Sequence, residues 1–181
     1  MRKEVKIGLF GFGCVGQGLY DVLTNSKGFK TEIKRIVVKD RTKKRKLPEH
    51  LFSFDKNDVL NDAEINLVVE LIDNAEDAFE IVKAALLKGK NVVTANKKMI
   101  AHNFEELVRL QKETGSSLLY EASACGSIPI IRTLEEYYDN ELVNSVSGIF
   151  NGSSNYILSK IQNENMSYAT ALKQAQDLGF A

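Results

Sequence analysis

A glycine-rich segment near the start of the chain constrains the fold more than any other stretch. The apolar run that ends at Phe10 leads into Gly11-Phe12-Gly13-Cys14-Val15-Gly16, and a helix-like pattern follows at once. Gly11 can adopt the backbone angles of a tight turn, Gly13 leaves room for a phosphate, and Gly16 lets the helix pack closely against the strand. Because a helix start presents N–H groups to an anion, the segment predicts a site for a dinucleotide pyrophosphate. A glycine turn that only packs is the alternative interpretation.

The composition limits the partners of the chain. Its 181 residues include 24 Lys and Arg and 24 Asp and Glu, so the formal net charge is zero. A balanced charge argues against nucleic acid or a membrane surface as the main partner, and no apolar run approaches the roughly 20 residues of a membrane span. The two cysteines, Cys14 and Cys125, and the two histidines, His50 and His102, do not have a metal-ligand spacing. Because the N-terminus has no signal-peptide pattern, we expect a cytoplasmic protein with reduced thiols.

Apolar runs that alternate with helical patterns predict an α/β fold. Strands are expected at residues 5–10, 32–38, 66–72, 91–94 and 117–120. Helices are expected at residues 14–24, 76–88 and 104–114, with a loop and short helical pieces at 48–62. This alternation is typical of a doubly wound, Rossmann-type parallel sheet with right-handed crossovers.

The pattern changes after Pro129. Residues 143–150 alternate apolar and polar side chains, which predicts a strand of a mixed or antiparallel sheet with one covered face. Helices are expected at residues 130–138, 155–162 and 168–178. We therefore predict an NAD(P)-binding domain over residues 1–128 and the beginning of a second, α+β domain over residues 129–181.

A basic segment follows the second predicted strand. Six of the eight residues from Lys39 to Lys46 are lysine or arginine. In a dinucleotide-binding fold the end of this strand meets the adenosine ribose, where an acidic side chain suits a free 2′-hydroxyl and basic side chains suit a 2′-phosphate. Lys39 and Arg41 favour NADP(H) over NAD(H), whereas Asp40 favours the opposite choice. A solvated loop would carry the same residues.

Four motifs occur in the order and spacing that homoserine dehydrogenases have. They are the glycine segment, Thr94-Ala95-Asn96-Lys97-Lys98, Tyr120-Glu121-Ala122-Ser123 with the following Ile128-Pro129-Ile130, and Asn151-Gly152-Ser153-Ser154-Asn155-Tyr156-Ile157-Leu158. The chain resembles this family along essentially its whole length. The resemblance implies an oxidoreductase that reduces L-aspartate 4-semialdehyde to L-homoserine with NAD(P)H, on the route to threonine, isoleucine and methionine. It also implies that the second domain is catalytic and makes the full-length enzyme a homodimer.

The resemblance assigns roles to individual residues. It implies that the pyrophosphate is held by Gly11, Phe12, Gly13, Cys14, Val15 and Gly16. Thr94 and Lys97 are implied to lie beside the nicotinamide and the substrate, and Gly152 to bring its N–H close to either ligand. An ammonium group is a suitable electrostatic partner for an anion of the substrate or the cofactor. A solvated loop lysine is the alternative interpretation of Lys97.

The segment after residue 120 resembles the monovalent cation site of the family. The matching positions are Glu121, Ala124, Gly126 and Ile128. The last three would contribute backbone carbonyls, and oxygen donors of this kind suit sodium. The chain departs from the family at Cys125 and Ser127, and at residues 71–74 where two glycines are common. A surface carboxylate that caps a turn is the alternative interpretation of Glu121.

The last residues of the chain also match the family. There, the lysine that exchanges the substrate proton lies just after a segment like Gly179-Phe180-Ala181, which ends this sequence. The resemblance therefore implies that these 181 residues bind NAD(P)(H) but do not oxidise homoserine. Two other functions remain compatible with the fold: a non-catalytic dinucleotide-binding regulatory module, and a related oxidoreductase acting on another small aldehyde or hydroxy acid.

Overall fold

A six-stranded parallel sheet organises the N-terminal part of the chain. The computed structural model describes residues 4–26, 28, 30–126, 128–140 and 142–179. The strands are β1 (Val5–Phe10), β2 (Thr31–Val37), β3 (Phe52–Ser53), β4 (Leu67–Glu70), β5 (Asn91–Thr94) and β6 (Leu118–Leu119). They lie in the order β3-β2-β1-β4-β5-β6, and each neighbouring pair is parallel. The predicted doubly wound α/β fold is confirmed, and the strand order reverses between β1 and β4.

Helices connect the strands and continue after the sheet. The connecting helices are α1 (Cys14–Asn25), α2 (Asn57–Leu60), α3 (Ala75–Leu87) and α4 (Lys97–Thr114), with a 3₁₀ turn at Glu49–Leu51. After β6 follow α5 (Glu121–Ala124), α6 (Ile130–Glu136), α7 (Gly152–Glu164) and α8 (Tyr168–Asp177). Within the described ranges, every helix is too short or too polar to cross a membrane.

Apolar clusters cover both faces of the sheet. Val68 and Val69 belong to different clusters, because successive side chains of a strand point to opposite faces. On one face Val82 of α3 and Leu107 of α4 are fully buried. On the other face Leu19 of α1 packs against the second cluster. Coverage on both sides explains why the strand sequences are continuous apolar runs.

Two predicted elements in the first part of the chain needed correction. Helix α4 begins at Lys97, seven residues before the predicted start, because the Asn96 side chain caps it and accepts a hydrogen bond from Met99 N at 2.9 Å. Lys97 therefore lies in a helical turn and not in a loop. The segment 48–62 contains the short strand β3 in addition to the expected helical pieces, since Ile36 and Val37 offer it a free edge of β2.

The predicted strand over residues 143–150 is wrong. These residues alternate apolar and polar side chains, but they are exposed and have no regular secondary structure. A strand needs a neighbouring strand to satisfy its backbone N–H and C=O groups. The described part of the chain pairs no strand with this segment.

The chain divides between Ser123 and Ala124 into two compact units. In the second unit α7 and α8 pack together around three buried side chains, those of Ile157, Ala171 and Ala175. The domain boundary after residue 128 stays a prediction, and the predicted end at residues 179–181 lies mostly outside the described residues.

Candidate functional site

A crevice lies at the carboxyl ends of β1, β2 and β4. Its cavity measures ≈ 1040 Å³, and it is lined by the glycine segment, by the basic loop after β2 and by the segment after β4. The strand order reverses at this place, and open α/β sheets bind their ligands at such a switch point. The crevice is therefore the candidate ligand site of the first unit.

Gly11 forms the turn at the floor of the crevice. Its φ is +92°, a conformation that residues with a side chain rarely adopt. A Cβ atom at Gly11 would lie 2.6 Å from Leu71 O, so the backbone after β4 lies directly against this turn. At Gly16 a Cβ atom would lie 2.6 Å from Gly11 O. Both positions exclude a side chain, as the sequence predicted.

The rest of the glycine segment divides into two groups. Phe12 and Gly13 line the crevice with Gly11, and Gly13 has open space around its missing side chain. Gly13 also occupies the N-cap position of α1, so the start of that helix adjoins the crevice. Cys14 and Val15 lie instead on the exposed surface of α1 and do not line it. Their predicted contact with the pyrophosphate stays a prediction.

The basic loop after β2 lines the adjoining wall. Lys39, Lys43 and Arg45 line the crevice, whereas Arg41 places its guanidinium 4.5 Å from the ring centre of Phe54. Lys39 Nζ pairs with Asp77 Oδ2 of α3 at 2.5 Å, and this hydrogen bond raises the pKa of Lys39. Lys39 is thus held across the crevice by an acidic partner.

Asp40 stabilises its own loop. Its Oδ1 accepts hydrogen bonds from Thr42 N at 2.7 Å, Thr42 Oγ1 at 2.7 Å and Lys43 N at 3.2 Å. The hydrogen bonds from Thr42 lower the pKa of Asp40. This carboxylate oxygen is therefore used inside the protein, which weakens the expectation that Asp40 faces a ribose hydroxyl.

Arg45 is a crevice residue that the sequence did not single out. Its guanidinium donates to Asp40 O at 2.7 Å and Lys43 O at 2.8 Å, and it lies 5.2 Å from the ring centre of Phe52. Phe52 in turn contacts Phe12 edge to face, with ring centroids 5.4 Å apart. The only available signal was the place of Arg45 in the basic run.

Glu70 is a second residue that sequence reasoning missed. It ends β4 and is fully buried, and burial raises the pKa of its carboxyl against the opposing effect of two hydrogen bonds. Its Oε2 accepts from Thr94 Oγ1 at 2.5 Å, and its Oε1 accepts from Ile72 N at 2.7 Å. An acidic residue inside the apolar run Leu67-Val68-Val69-Glu70-Leu71-Ile72 was the signal that could have found it.

This contact changes the interpretation of Thr94. The residue is fully buried, and its hydroxyl donates to Glu70 instead of facing the crevice. The predicted place of Thr94 beside the nicotinamide and the substrate stays a prediction.

Lys97 lies in the first turn of α4, after the carboxyl end of β5, and its side chain is exposed. Lys98 follows it in the same turn, and two positive charges at a helix N-terminus oppose the helix dipole. Helix stability therefore does not explain these lysines, which agrees with the predicted contact to an anionic ligand. That contact stays a prediction.

The other predicted residues lie in both units. Glu121 begins α5 in the first unit, whereas Ala124, Gly126 and Ile128 belong to the second unit. Gly126 has a φ of +61°, and the described residues contain no cluster of three or more His, Cys, Asp or Glu side chains suited to a metal ion. A site built mainly from backbone carbonyls is of another kind and stays a prediction.

Gly152 is the first residue of α7 in the second unit. Its turn is set by Asn151, whose side chain accepts a hydrogen bond from Ser154 N at 2.9 Å. The Asn-Gly-Ser-Ser motif is therefore a capped helix start, three residues before the predicted start at residue 155. The role of Gly152 toward cofactor or substrate stays a prediction.

Comparisons with known proteins agree along the whole chain. The family model described as homoserine dehydrogenase, NAD binding domain, matches residues 11–121, and the one described as homoserine dehydrogenase matches residues 129–181. The homoserine dehydrogenase of Bacillus subtilis is 39% identical over 99% of this chain and 43% of its own length. That of Helicobacter pylori is 39% identical over 100% of this chain and 44% of its own length.

Solved structures give the same result. A homoserine dehydrogenase from Thiobacillus denitrificans has a TM-score of 0.89 and 36% identity, over 99% of this chain and 43% of its own. A hyperthermophilic archaeal homoserine dehydrogenase mutant in complex with NADPH has a TM-score of 0.75 and 25% identity, over 98% of this chain and 62% of its own. This chain spans less than half the length of the curated relatives named above.

Proposed function

The chain belongs to the homoserine dehydrogenase family, and from this premise we propose that it forms the NAD(P)(H)-binding part of an enzyme that reduces L-aspartate 4-semialdehyde to L-homoserine. The observation that carries the proposal is the turn at Gly11, which has a positive φ and no room for a side chain, followed by open space at Gly13, the N-cap of α1. Such an opening suits a pyrophosphate, because backbone N–H groups and the helix dipole both favour an anion there.

The open space at the turn supports binding of the cofactor. Gly13 has open space where a side chain would stand, and the crevice continues to the basic loop after β2. When bound, the nicotinamide cofactor supplies the hydride for the reaction. The chain's own residues hold the pyrophosphate at the glycine segment, and Lys97 binds an anionic group after β5. The product would serve threonine and methionine synthesis in the cytoplasm.

The basic wall supports NADP(H) over NAD(H). Lys39, Lys43 and Arg45 line the crevice, and one carboxylate oxygen of Asp40 accepts hydrogen bonds from its own loop. We place the 2′-phosphate of the cofactor beside Lys39. Arg41, two residues further along the same loop, is the second cation that we propose for it. A phosphate needs such positive charge, whereas a free ribose hydroxyl does not.

Titration of the chain with NADPH and NADH, followed by cofactor fluorescence, tests both parts. We expect binding of both nucleotides, with NADPH tighter, and Lys39→Ala to weaken NADPH more than NADH. Lys44→Ala is the matched control, since Lys44 belongs to the same loop and does not line the crevice. Absence of binding would reject the proposal, and equal losses for both nucleotides would reject the 2′-phosphate assignment.

A sodium ion is proposed at Glu121, Ala124, Gly126 and Ile128, and a homodimer is proposed for the full-length enzyme. The oxygen donors of this segment, one carboxylate and three carbonyls, suit a hard cation. Thermal unfolding in sodium chloride and in choline chloride tests the ion. We expect sodium to stabilise the wild type and to have no specific effect on Glu121→Ala.

A further inference from the structure

The main chain of Ile72 is held from two sides. Its N–H donates to Glu70 Oε1 at 2.7 Å, and its carbonyl accepts from Asn96 Nδ2 at 3.0 Å. Glu70 ends β4, whereas Asn96 follows β5. Two neighbouring strand ends thus fix one residue of the crevice wall.

Thr94 closes these contacts into a ring. Its hydroxyl donates to Glu70 Oε2 at 2.5 Å and accepts from Asn96 N at 3.0 Å. Glu70 and Thr94 are fully buried, and Asn96 is only 8% exposed. Each side chain of the ring therefore meets a hydrogen-bond partner, and such a network has one preferred arrangement.

The ring lies directly against the glycine turn. Leu71 N donates to Phe10 O at 2.8 Å, and Leu71 O would lie 2.6 Å from a Cβ atom at Gly11. The Cγ2 atom of Ile72 would lie 3.3 Å from the same Cβ position. A displacement of residues 71–72 would therefore narrow or widen the opening beside Gly11.

We propose that Glu70 and Asn96 are positioning residues for the cofactor, because their grip on Ile72 holds Leu71 and Ile72 at the distance from the glycine turn that a dinucleotide needs. This inference rests on the proposed function, since it assumes that the dinucleotide binds in this crevice. Neither side chain has to touch the cofactor. Their effect on it passes through the backbone of residues 71–72.

At the end of the sheet where the strands begin, two strands are linked without a buried carboxylate. Asn66 bridges the starts of β4 and β1 there: its Nδ2 donates to Glu4 O at 3.0 Å and its Oδ1 accepts from Lys6 N at 3.1 Å. Burying a carboxylate costs free energy that a neutral amide does not. The buried carboxylate of Glu70, the more costly of the two links, lies beside the crevice, which supports a role for it beyond stability.

Asn96→Asp is the sharpest test. Aspartate keeps an oxygen for the N-cap of α4 but loses the N–H₂ that donates to Ile72 O. The loss of one ordinary hydrogen bond predicts a rise of about three- to tenfold in the dissociation constants of NADPH and NADH. This range is the smallest effect that we expect from the substitution, because a carboxylate oxygen of aspartate would face Ile72 O acceptor to acceptor. Hydrogen exchange of the Ile72 amide should become faster in the unliganded protein.

Asn66→Asp is the matched control, because it removes the same kind of donor from a carbonyl at the far edge. It should lower thermal stability without changing nucleotide affinity or exchange at Ile72. Glu70→Ala and Glu70→Gln form a second pair. The alanine variant should bind more weakly by about tenfold, whereas glutamine keeps an acceptor for Ile72 N and should restore most of the affinity.

Unchanged affinity in folded Asn96→Asp, or an equal loss in Asn66→Asp, would overturn the inference. If Glu70→Ala does not fold, the asparagine pair decides alone. If the wild-type chain binds neither nucleotide, the proposed function itself fails. If the wild type binds and the Asn96 and Glu70 variants bind equally well, only the positioning role is rejected.

Discussion

Charged side chains are used in opposite ways at the amino edge of the sheet, where the strands begin, and at the carboxyl edge, where they end. At the amino edge Glu64 pairs with Lys6 at 2.7 Å and with Lys34, and the buried Lys90 donates to Asp62 O and Ile65 O at 2.6 and 2.7 Å. At the carboxyl edge the basic loop lines an open cavity, and the buried Glu70 holds a wall of that cavity. The amino edge satisfies its charges internally, whereas the carboxyl edge keeps cations beside a space that an anion can enter.

The largest expected effect separates two glycines that both have a positive φ, Gly11 at +92° and Gly89 at +71°. Gly11→Ala places a Cβ atom against Leu71 O, so we expect a loss of about 1–3 kcal/mol in stability and no measurable NADPH binding. At Gly89 a Cβ atom meets nothing within 4 Å. Gly89→Ala should therefore cost only the backbone strain, about 1 kcal/mol. Urea unfolding and NADPH titration measure both effects, and weak NADPH binding by Gly89→Ala would contradict the division between the edges.

The next effect concerns the buried lysine of the amino edge. Lys90→Met removes the Nζ donor from the carbonyls of Asp62 and Ile65, and among the described residues Asp62 O then keeps only its 3.3 Å bond from Ile65 N. We therefore expect a stability loss of about 1–3 kcal/mol. Since Lys90 lies away from the crevice, the dissociation constant of NADPH should not change once the variant is folded. A folded Lys90→Met protein with weakened NADPH binding would show that the amino edge also shapes the site.

Glu64 and Glu70 should change the free energy of unfolding in opposite directions as the pH rises. The lysine partners Lys34 and Lys6 lower the pKa of Glu64 from 4.5 to about 2, so its contribution is present above pH 4.5 and is lost as the pH falls toward 2. Burial raises the pKa of Glu70 above 4.5, so its contribution is present below pH 4.5 and is lost as the pH rises through the raised value.

Urea-unfolding midpoints from pH 2 to 8 distinguish these two carboxylates. Glu64→Gln should flatten the loss of stability between pH 4.5 and 2, and Glu70→Gln should remove a loss above pH 4.5. Parallel pH profiles for the two variants would mean that the edges do not differ in this way.

The smallest expected effect tests the pair that spans the crevice. If the 2′-phosphate binds beside Lys39 as proposed, Asp77 competes with it for that side chain, and both side chains are more than half exposed. Asp77→Asn should therefore strengthen NADPH binding by about two- to fivefold, the range of an exposed ion pair, and leave NADH binding unchanged. Glu76→Gln in the same helical turn is the control and should change neither affinity. Equal gains for both nucleotides would point to general charge instead of competition at Lys39.

At the carboxyl edge, the sequence correctly predicted the features that depend on the backbone, namely the glycine turn and the strands. Gly11 has a positive φ that belongs to a local turn, and a Cβ atom at Gly16 would meet Gly11 O, only five residues away. The apolar strands follow from burial on both faces. The capping of α3 by Asn74 was also predictable, because that hydrogen bond reaches only to Asp77 N.

Long-range polar contacts were not predictable in the same way. The partners Glu70 and Thr94 are 24 residues apart, and Lys39 and Asp77 are 38 apart, so no local pattern connects them. The strand predicted at residues 143–150 failed for a related reason, because alternation describes the faces of a strand but does not supply the neighbour that pairs with it. The Asn96 cap of α4 was missed because the matched motif was interpreted as a loop.

The first turn of α4 shows how a gain in stability could remove the proposed anion contact of Lys97. Lys97 and Lys98 stand where the helix dipole favours acidic residues, at a cost of roughly 0.3–1 kcal/mol for each unfavourable charge. A screen that selected variants for heat resistance alone would therefore enrich glutamate at these two positions. Thermostabilisation of this protein should accordingly keep the residues just after Asn96 fixed, and seek its improvements on the helices away from the crevice.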